Sequence, residues 1–182
     1  MLIALTGTPG VGKTSISNLL SNKGYEVIFL NELVNKKGIF IGIDKKRDSK
    51  IVNIEELNSF IKNNYSSKNY VIIDGHLSHH LKCIDKIIIL RCHPNDLKKR
   101  LLKKGWNKEK IKENIEAEIL DIIFCESIKN HKENNIFEIN TTEKKIEHVT
   151  SEIVEIIEND FIENKKYKIG KIDWSEEIFK KF

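Results

Sequence analysis

Gly7, Gly12, Lys13 and Thr14 satisfy the pattern G-x-x-x-x-G-K-[ST] within the run G-T-P-G-V-G-K-T-S at residues 7–15. Each residue type suits one task in holding a polyphosphate. Glycines such as Gly7, Gly10 and Gly12 let the backbone wrap until successive N–H groups point at phosphate oxygens, and the positive end of a helix starting near Lys13 and Ser15 assists them. Lys13 adds a mobile charge for the β- and γ-phosphates, while Thr14 offers a hydroxyl to Mg²⁺. A second signal is V-I-I-D-G-H at residues 71–76. In a phosphate-loop fold, a carboxylate ending an apolar strand beside the loop can hold the Mg²⁺ shell, which makes Asp74 the second expected metal residue. A turn-forming Asp before Gly is the plainer alternative. His76 has three readings: a hydrogen bond to phosphate, the positioning of a water, or a turn filler.

Two further groups could do chemistry. His76, His79, His80 and Cys83 fall at i, i+3, i+4 and i+7, a spacing that on a helix resembles a metal site. Only Asp74 and Asp85 lie nearby as supporting carboxylates, so packing and surface roles are the expected ones. The chain has 31 basic residues, of which three are arginines, Arg47, Arg91 and Arg100. Where arginine is so scarce, each one is a candidate for bidentate phosphate binding, with an ordinary ion pair as the alternative.

The elements that must position these groups follow from periodicity. An apolar strand from Leu2 to Leu5 precedes the loop, and a helix carrying Ile16, Leu19 and Leu20 follows it until Gly24. Apolar runs at Tyr25–Leu30, Tyr70–Ile73, Lys86–Leu90 and Asn135–Ile139 supply four more strands. Helices are expected at Asn31–Lys37, Asn53–Asn64, Asn95–Lys104, Lys108–Lys129 and Glu143–Ile162, and an irregular excursion between Gly38 and Asn53. This alternation predicts an α/β fold of the P-loop NTPase type, a three-layer α/β/α sandwich with a five-stranded parallel sheet and ligands at the carboxyl ends of its strands.

With 182 residues the chain is expected to form one domain, 1–182. The first apolar run reads as a strand rather than a leader, and the longest aliphatic run, Ile87–Leu90, is too short to span a bilayer. A soluble, cytoplasmic protein with no membrane contact is expected. Three cysteines without a C-x-x-C spacing read as reduced thiols, and a net charge of +4 does not call for nucleic acid. Asn107-Lys108-Glu109-Lys110 lacks the final Asp of the guanine-reading N-K-x-D, which disfavours a GTPase.

Taken with the loop and V-I-I-D-G-H, the block from Leu90 to Ile119, which contains L-R-C-H-P-N-D-L-K-K-R-L-L-K-K-G-W-N-K-E-K-I-K-E-N-I-E-A-E-I, resembles the adenylate kinase isoenzyme six family. That family is also known as the coilin-interacting nuclear ATPase and has archaeal members. The resemblance runs from Met1 to about Lys129. It implies a P-loop kinase with a short acceptor-nucleotide region at about residues 30–53 and a short lid at about 103–113. It also implies ATP and Mg²⁺ as cofactors, and a broad nucleoside monophosphate kinase with ATPase activity. A part in small ribosomal subunit maturation, through a ribosomal protein of the S-eleven type and contact with the pre-ribosome, is implied as well. Lys13, Asp74, His76 and Arg100 then carry catalysis, with Arg100 and Lys104 closing over the phosphates. Asn35 and Lys104 stand where the family often has arginine. An acidic stretch from Glu152 to Asp160 is one possible partner face. Two other readings keep the loop: an ATP-hydrolysing assembly factor with little kinase role, and a kinase of a non-nucleotide metabolite. Trp174, Ile178, Phe179 and Phe182 in the tail, residues 169–182, are expected to pack back on the body.

Overall fold

Successive residues along the first strand, β1 (Leu2–Gly7), face opposite ways, and both faces are apolar. Leu2 and Ala4 join one buried cluster, while Ile3 and Leu5 join the other. A strand buried on both sides belongs in the middle of a parallel sheet covered by helices, and the computed structural model, which describes residues 1–44, 49–65, 70–162 and 164–179, has that architecture. Five parallel strands run in the order β2 (Glu26–Phe29), β5 (Val71–Asp74), β1, β6 (Lys86–Arg91) and β7 (Ile136–Asn140). The register sets Leu5 opposite Asp74 and Gly7 opposite Leu90, so the phosphate loop leaves the sheet between its two central neighbours.

One face carries α1 (Lys13–Asn22), α4 (Pro94–Lys103), α5 (Lys108–Ile119) and α7 (Ile146–Glu158), through Ile16, Leu20, Leu97, Leu101, Ile115 and Ile153. The other carries α2 (Leu30–Lys37) and α3 (Ile54–Tyr65), through Leu30, Val34, Leu57 and Ile61, with Ile123 and Phe124 of α6 (Ile122–Asn130) at its edge. No helix of the described residues is long and apolar enough to cross a membrane.

Two expectations need correction. The excursion at 38–53 contains an antiparallel hairpin, β3 (Phe40–Asp44) paired with β4 (Ser49–Val52), with a register shift between Phe40 and Gly42. Its alternation is hidden because the outward positions Ile41 and Ile43 are themselves apolar. The helix expected at Lys108–Lys129 is two, broken at Leu120–Asp121, where Asp121 takes a left-handed conformation with φ of +53°. The apolar spacing of Ile119, Ile122 and Ile123 conceals the break. Asp is one of the few L-residues that enter this region readily, and its carboxylate there reaches Arg91. Of the tail residues expected to pack back, Trp174 does so, joined by Ile169, whereas Ile178 is exposed and Phe182 lies outside the described residues.

Candidate active site

Helix α1 begins without a side-chain cap. Its N-cap is Gly12, in a left-handed conformation with φ of +114°, whereas α4 and α5 are capped by His93 and Asn107. Unsatisfied first-turn N–H groups at a helix start favour an anion. Gly10, at φ of +103°, presses the loop against α4: a Cβ there would stand 2.7 Å from Leu101 Cδ2 and 2.9 Å from Leu97 Cδ1. The side chain of Lys13 arches over the loop and donates to the carbonyls of Gly7 at 2.6 Å and Thr8 at 3.1 Å. Burial lowers its pKa to about 8, against the pull of Asp74 and Glu118.

Pro9, Gly10, Gly12, Lys13, Thr14 and Ser15 form one wall of a cleft of about 890 Å³. Asp74, Gly75 and His76 line its floor, and Lys104, Trp106, Asn107, Lys110 and Asn114 line its far side. The sheet register and the α4–α5 turn therefore bring Gly10, Gly12, Lys13, Thr14, Ser15, Asp74, His76 and Lys104 to one place. Trp106, Lys110 and Asn114 were not singled out from sequence. Lys110 Nζ lies 4.6 Å from the Trp106 ring centroid, a cation–π contact between the α4–α5 turn and α5. Gly105, at φ of +71°, ends α4 just before that ring, and this Gly-aromatic turn was the available signal.

The donor set fits a hard dication. Asp74 is buried, and desolvation raises its carboxyl pKa against the opposing pull of Lys13 and the Ser17 hydroxyl. That Ser17 hydroxyl is itself buried with no partner at hydrogen-bond length. Asp74 and Thr14, which both line the cleft, are oxygen ligands of the kind Mg²⁺ takes directly or through water. Burial, helped by Lys13 and His80, drops the His76 pKa to about 4, so its imidazole is neutral near pH 7.

Of the arginines, Arg91 forms the ion pairs kept as its alternative, while Arg100 is placed otherwise than its expected lid role. Arg100 lies behind the loop, not over the cleft: its guanidinium donates to Val11 O at 3.0 Å, to Thr141 O at 2.7 Å and to Asp96 at 2.7 Å. It braces the loop backbone from the α4 side. Arg91 is buried among Glu118 at 2.9 Å, Glu138 at 2.7 Å and Asp121. Burial disfavours its charge, yet these carboxylates raise its pKa. Arg47 lies outside the described residues. Glu118, which sequence reading did not single out, joins these parts. It accepts from Thr8 Oγ1 of the loop, from Arg91, from the Cys92 N–H and from Trp174 Nε1 of the tail.

A second cavity of about 770 Å³ adjoins the cleft. Asn31 and His76 line both, and Val34, Asn35, Lys50, Val52 and His80 line the second alone. Lys50 Nζ donates to Asn35 Oδ1 at 2.6 Å and sits 4.2 Å from the Phe40 ring centroid. Lys50 is the one lysine or arginine among the described residues lining this cavity. The hairpin missed at the sequence level is what brings it there.

Comparison with known proteins places this geometry. The family described as AAA domain matches residues 3–121. The chain is 42% identical over 180 residues to "Putative adenylate kinase" of Methanocaldococcus jannaschii, covering 98% of this chain and 96% of that one. It is 42% identical over 177 residues to the protein of the same name from Thermococcus gammatolerans, covering 97% and 94%. Among solved structures, shikimate kinase from Acinetobacter baumannii superposes with a TM-score of 0.60 at 18% identity, over 89% of this chain and 95% of that one. Thymidylate kinase from Candida albicans superposes with a TM-score of 0.55 at 17% identity, over 87% and 91%. At these identities the structural likeness establishes the fold, an α/β P-loop NTPase.

Proposed function

Because the chain belongs to the AAA-domain family and to the family of archaeal proteins named "Putative adenylate kinase", we propose that it transfers the γ-phosphoryl group of ATP to a nucleoside monophosphate, AMP first among them. One observation carries this reading: two sizeable cavities meet at Asn31 and His76, one walled by the phosphate loop and the other holding a cation and amides. A kinase needs a donor and an acceptor site that share a boundary, so that the reacting oxygens approach in line. The acceptor phosphate oxygen is already anionic, and no general base is required. It forms the new bond to the γ-phosphorus as the bond to the β-γ bridging oxygen breaks, and ADP leaves with that electron pair.

The chain's residues contribute position and charge. Loop N–H groups and Lys13 hold the donor phosphates, and Lys50, steered by Asn35, pairs with the acceptor phosphate. Thr14 and Asp74 would hold Mg²⁺, which when bound offsets the charge of the phosphate oxygens. Lys104 and Lys110 bring charge from the lid side, and Trp106 shields the cleft from water. Arg100 acts through the Val11 carbonyl as a positioning residue. Neutral His76, at the shared boundary, can orient a water by hydrogen bonding when no acceptor is present, which gives slow ATP hydrolysis.

The isoenzyme-six type and its part in small-subunit assembly rest on the sequence resemblance alone. Within the acidic stretch from Glu152 to Asp160, Glu152 pairs with Lys144 and Lys166, and Glu155 with Lys166 and Tyr167. The deciding experiment measures ADP formation from ATP alone and from ATP with each monophosphate, in the wild type and Lys13→Ala. Monophosphate-dependent ADP formation that is lost in Lys13→Ala is expected. ADP formation indifferent to every monophosphate overturns the kinase assignment in favour of an ATPase.

A further inference from the structure

The four-residue helical stripe read from sequence does not form, since residues 78–80 make only a 3-10 turn. The turn nevertheless points two of those histidines at a residue from another element. His79 Nε2 lies 3.0 Å from Glu126 Oε2 of α6, and His80 Nε2 lies 3.6 Å from the same oxygen. One donor atom from each of the three residues falls within 4.8 Å of the others. Cys83 and His76 are not part of this group. Two ligands bound at about 2.0–2.1 Å to a tetrahedral Zn²⁺ stand about 3.3–3.4 Å apart, which the two measured separations bracket.

The surroundings also suit a metal. The other ring nitrogen of His79, Nδ1, is held 3.1 Å from Thr6 Oγ1 of β1, and the His79 carbonyl is bonded by His131 Nε2 at 2.8 Å. A hydroxyl on the far nitrogen fixes the ring and directs Nε2 toward the shared point, as outer partners of ligating histidines commonly do. Glu126 and His80 are partly exposed, which leaves a path for an ion, while His79 is buried.

We propose that His79, His80 and Glu126 form a site for a transition-metal dication, Zn²⁺ being the best match, separate from the Thr14–Asp74 site. Two imidazoles and one carboxylate with a fourth position left for water are a ligand set Zn²⁺ favours over Mg²⁺, which prefers oxygens alone. The ion would tie the turn after Asp74 and His76 to α6, where the hydrogen bond between His79 and Glu126 otherwise makes the link. His80 also lines the acceptor cavity, so the ion would sit in its wall.

The test is titration of the full-length protein with Co²⁺ as a spectroscopic stand-in, then displacement by Zn²⁺, with excess Mg²⁺ and ATP keeping the Thr14–Asp74 site filled. One equivalent giving tetrahedral visible absorption is expected. It should weaken at least tenfold in both His80→Ala and Glu126→Gln, which alter partly exposed side chains and keep the buried His79. A rise in melting temperature with Zn²⁺ should be present in the wild type and absent in Glu126→Gln. Three results overturn the proposal: no saturable binding, binding unchanged in both variants, or a thiolate-to-cobalt charge-transfer band. The last would place the ion on a cysteine, exposed Cys125 being the nearest in sequence to Glu126.

Discussion

Replacing Arg91 by Met separates two roles that the sequence leaves open for this arginine. If it were a phosphate ligand, the variant would fold normally and bind nucleotide poorly. The structure gives the opposite pattern. The guanidinium is 3% exposed and faces Glu118 and Glu138, whose side chains are 2% and 1% exposed, together with the more accessible Asp121. Methionine fills much of the volume but strands two buried carboxylates, which costs about 3–5 kcal/mol when one partner of a buried network is removed. At about 2–4 °C per kcal/mol for a domain of this size, the melting temperature should fall by roughly 6–20 °C at pH 7. The loss should also depend on pH. Burial already raises the Glu138 pKa, with Arg91 opposing that rise, so removing Arg91 raises it further. A carboxyl whose folded-state pKa exceeds its unfolded value takes up a proton on folding, and stability returns as pH falls through the folded value. Calorimetric melts at pH 7 and pH 5 should therefore show the gap between wild type and variant narrowing at the lower pH. A variant that melts within about 2 °C of wild type while its KM for either nucleotide rises would refute the argument and return Arg91 to the phosphate site.

Gly10→Ala forces a Cβ against Leu97 and Leu101 at a positive φ; ATP binding by calorimetry should weaken at least about tenfold, with about 1–3 kcal/mol of stability lost. Lys13 titrates near 8 when free, and phosphates stabilise its charged form, so ATP binding should take up a proton above that pH. ATP affinity should then fall toward tenfold per pH unit, measured by calorimetry in buffers of different ionisation enthalpy; a flat profile to pH 10 would show that Lys13 remains charged throughout. Lys50→Ala should raise the monophosphate KM roughly 10–150-fold, the equivalent of one lost charge-assisted bond of about 1.5–3 kcal/mol, and leave the ATP KM within about twofold. Equal effects on both substrates would remove Lys50 from the acceptor site.

The fold was legible where the signal is local and repeated. Five short apolar runs, four of them followed by a helical stripe, define the parallel sheet, because strands buried on both faces leave few other sequences possible. That the Gly7–Thr14 loop and Asp74 would meet in one cleft was legible for a related reason: both patterns sit at particular offsets from a strand end. The hairpin at 40–52 was not, since its exposed face is apolar at Ile41 and Ile43 and the period-2 signal cancels. The break at Asp121 was hidden in the same way by apolar residues that keep helical spacing across it.

What no local pattern announces is partnership between side chains far apart in the chain. Thr8 and Glu118 are 110 residues apart, Arg91 and Glu138 are 47, and His79 and Glu126 are also 47. In sequence Glu118, Glu126 and Glu138 read as ordinary polar residues on a helix or a strand, and nothing local names them as partners. Only the order of strands in the sheet decides which of them meet. Arg91 shows the consequence most directly. Its scarcity as an arginine correctly marked a position where a planar, permanently charged fork is needed, but the anion it serves is a set of the protein's own carboxylates. Through Glu118 that set bonds the loop at Thr8 and the tail at Trp174, so α5 is tied to the loop that would hold the donor phosphates. Scarcity identifies the chemistry a residue is kept for, while topology alone identifies the partner.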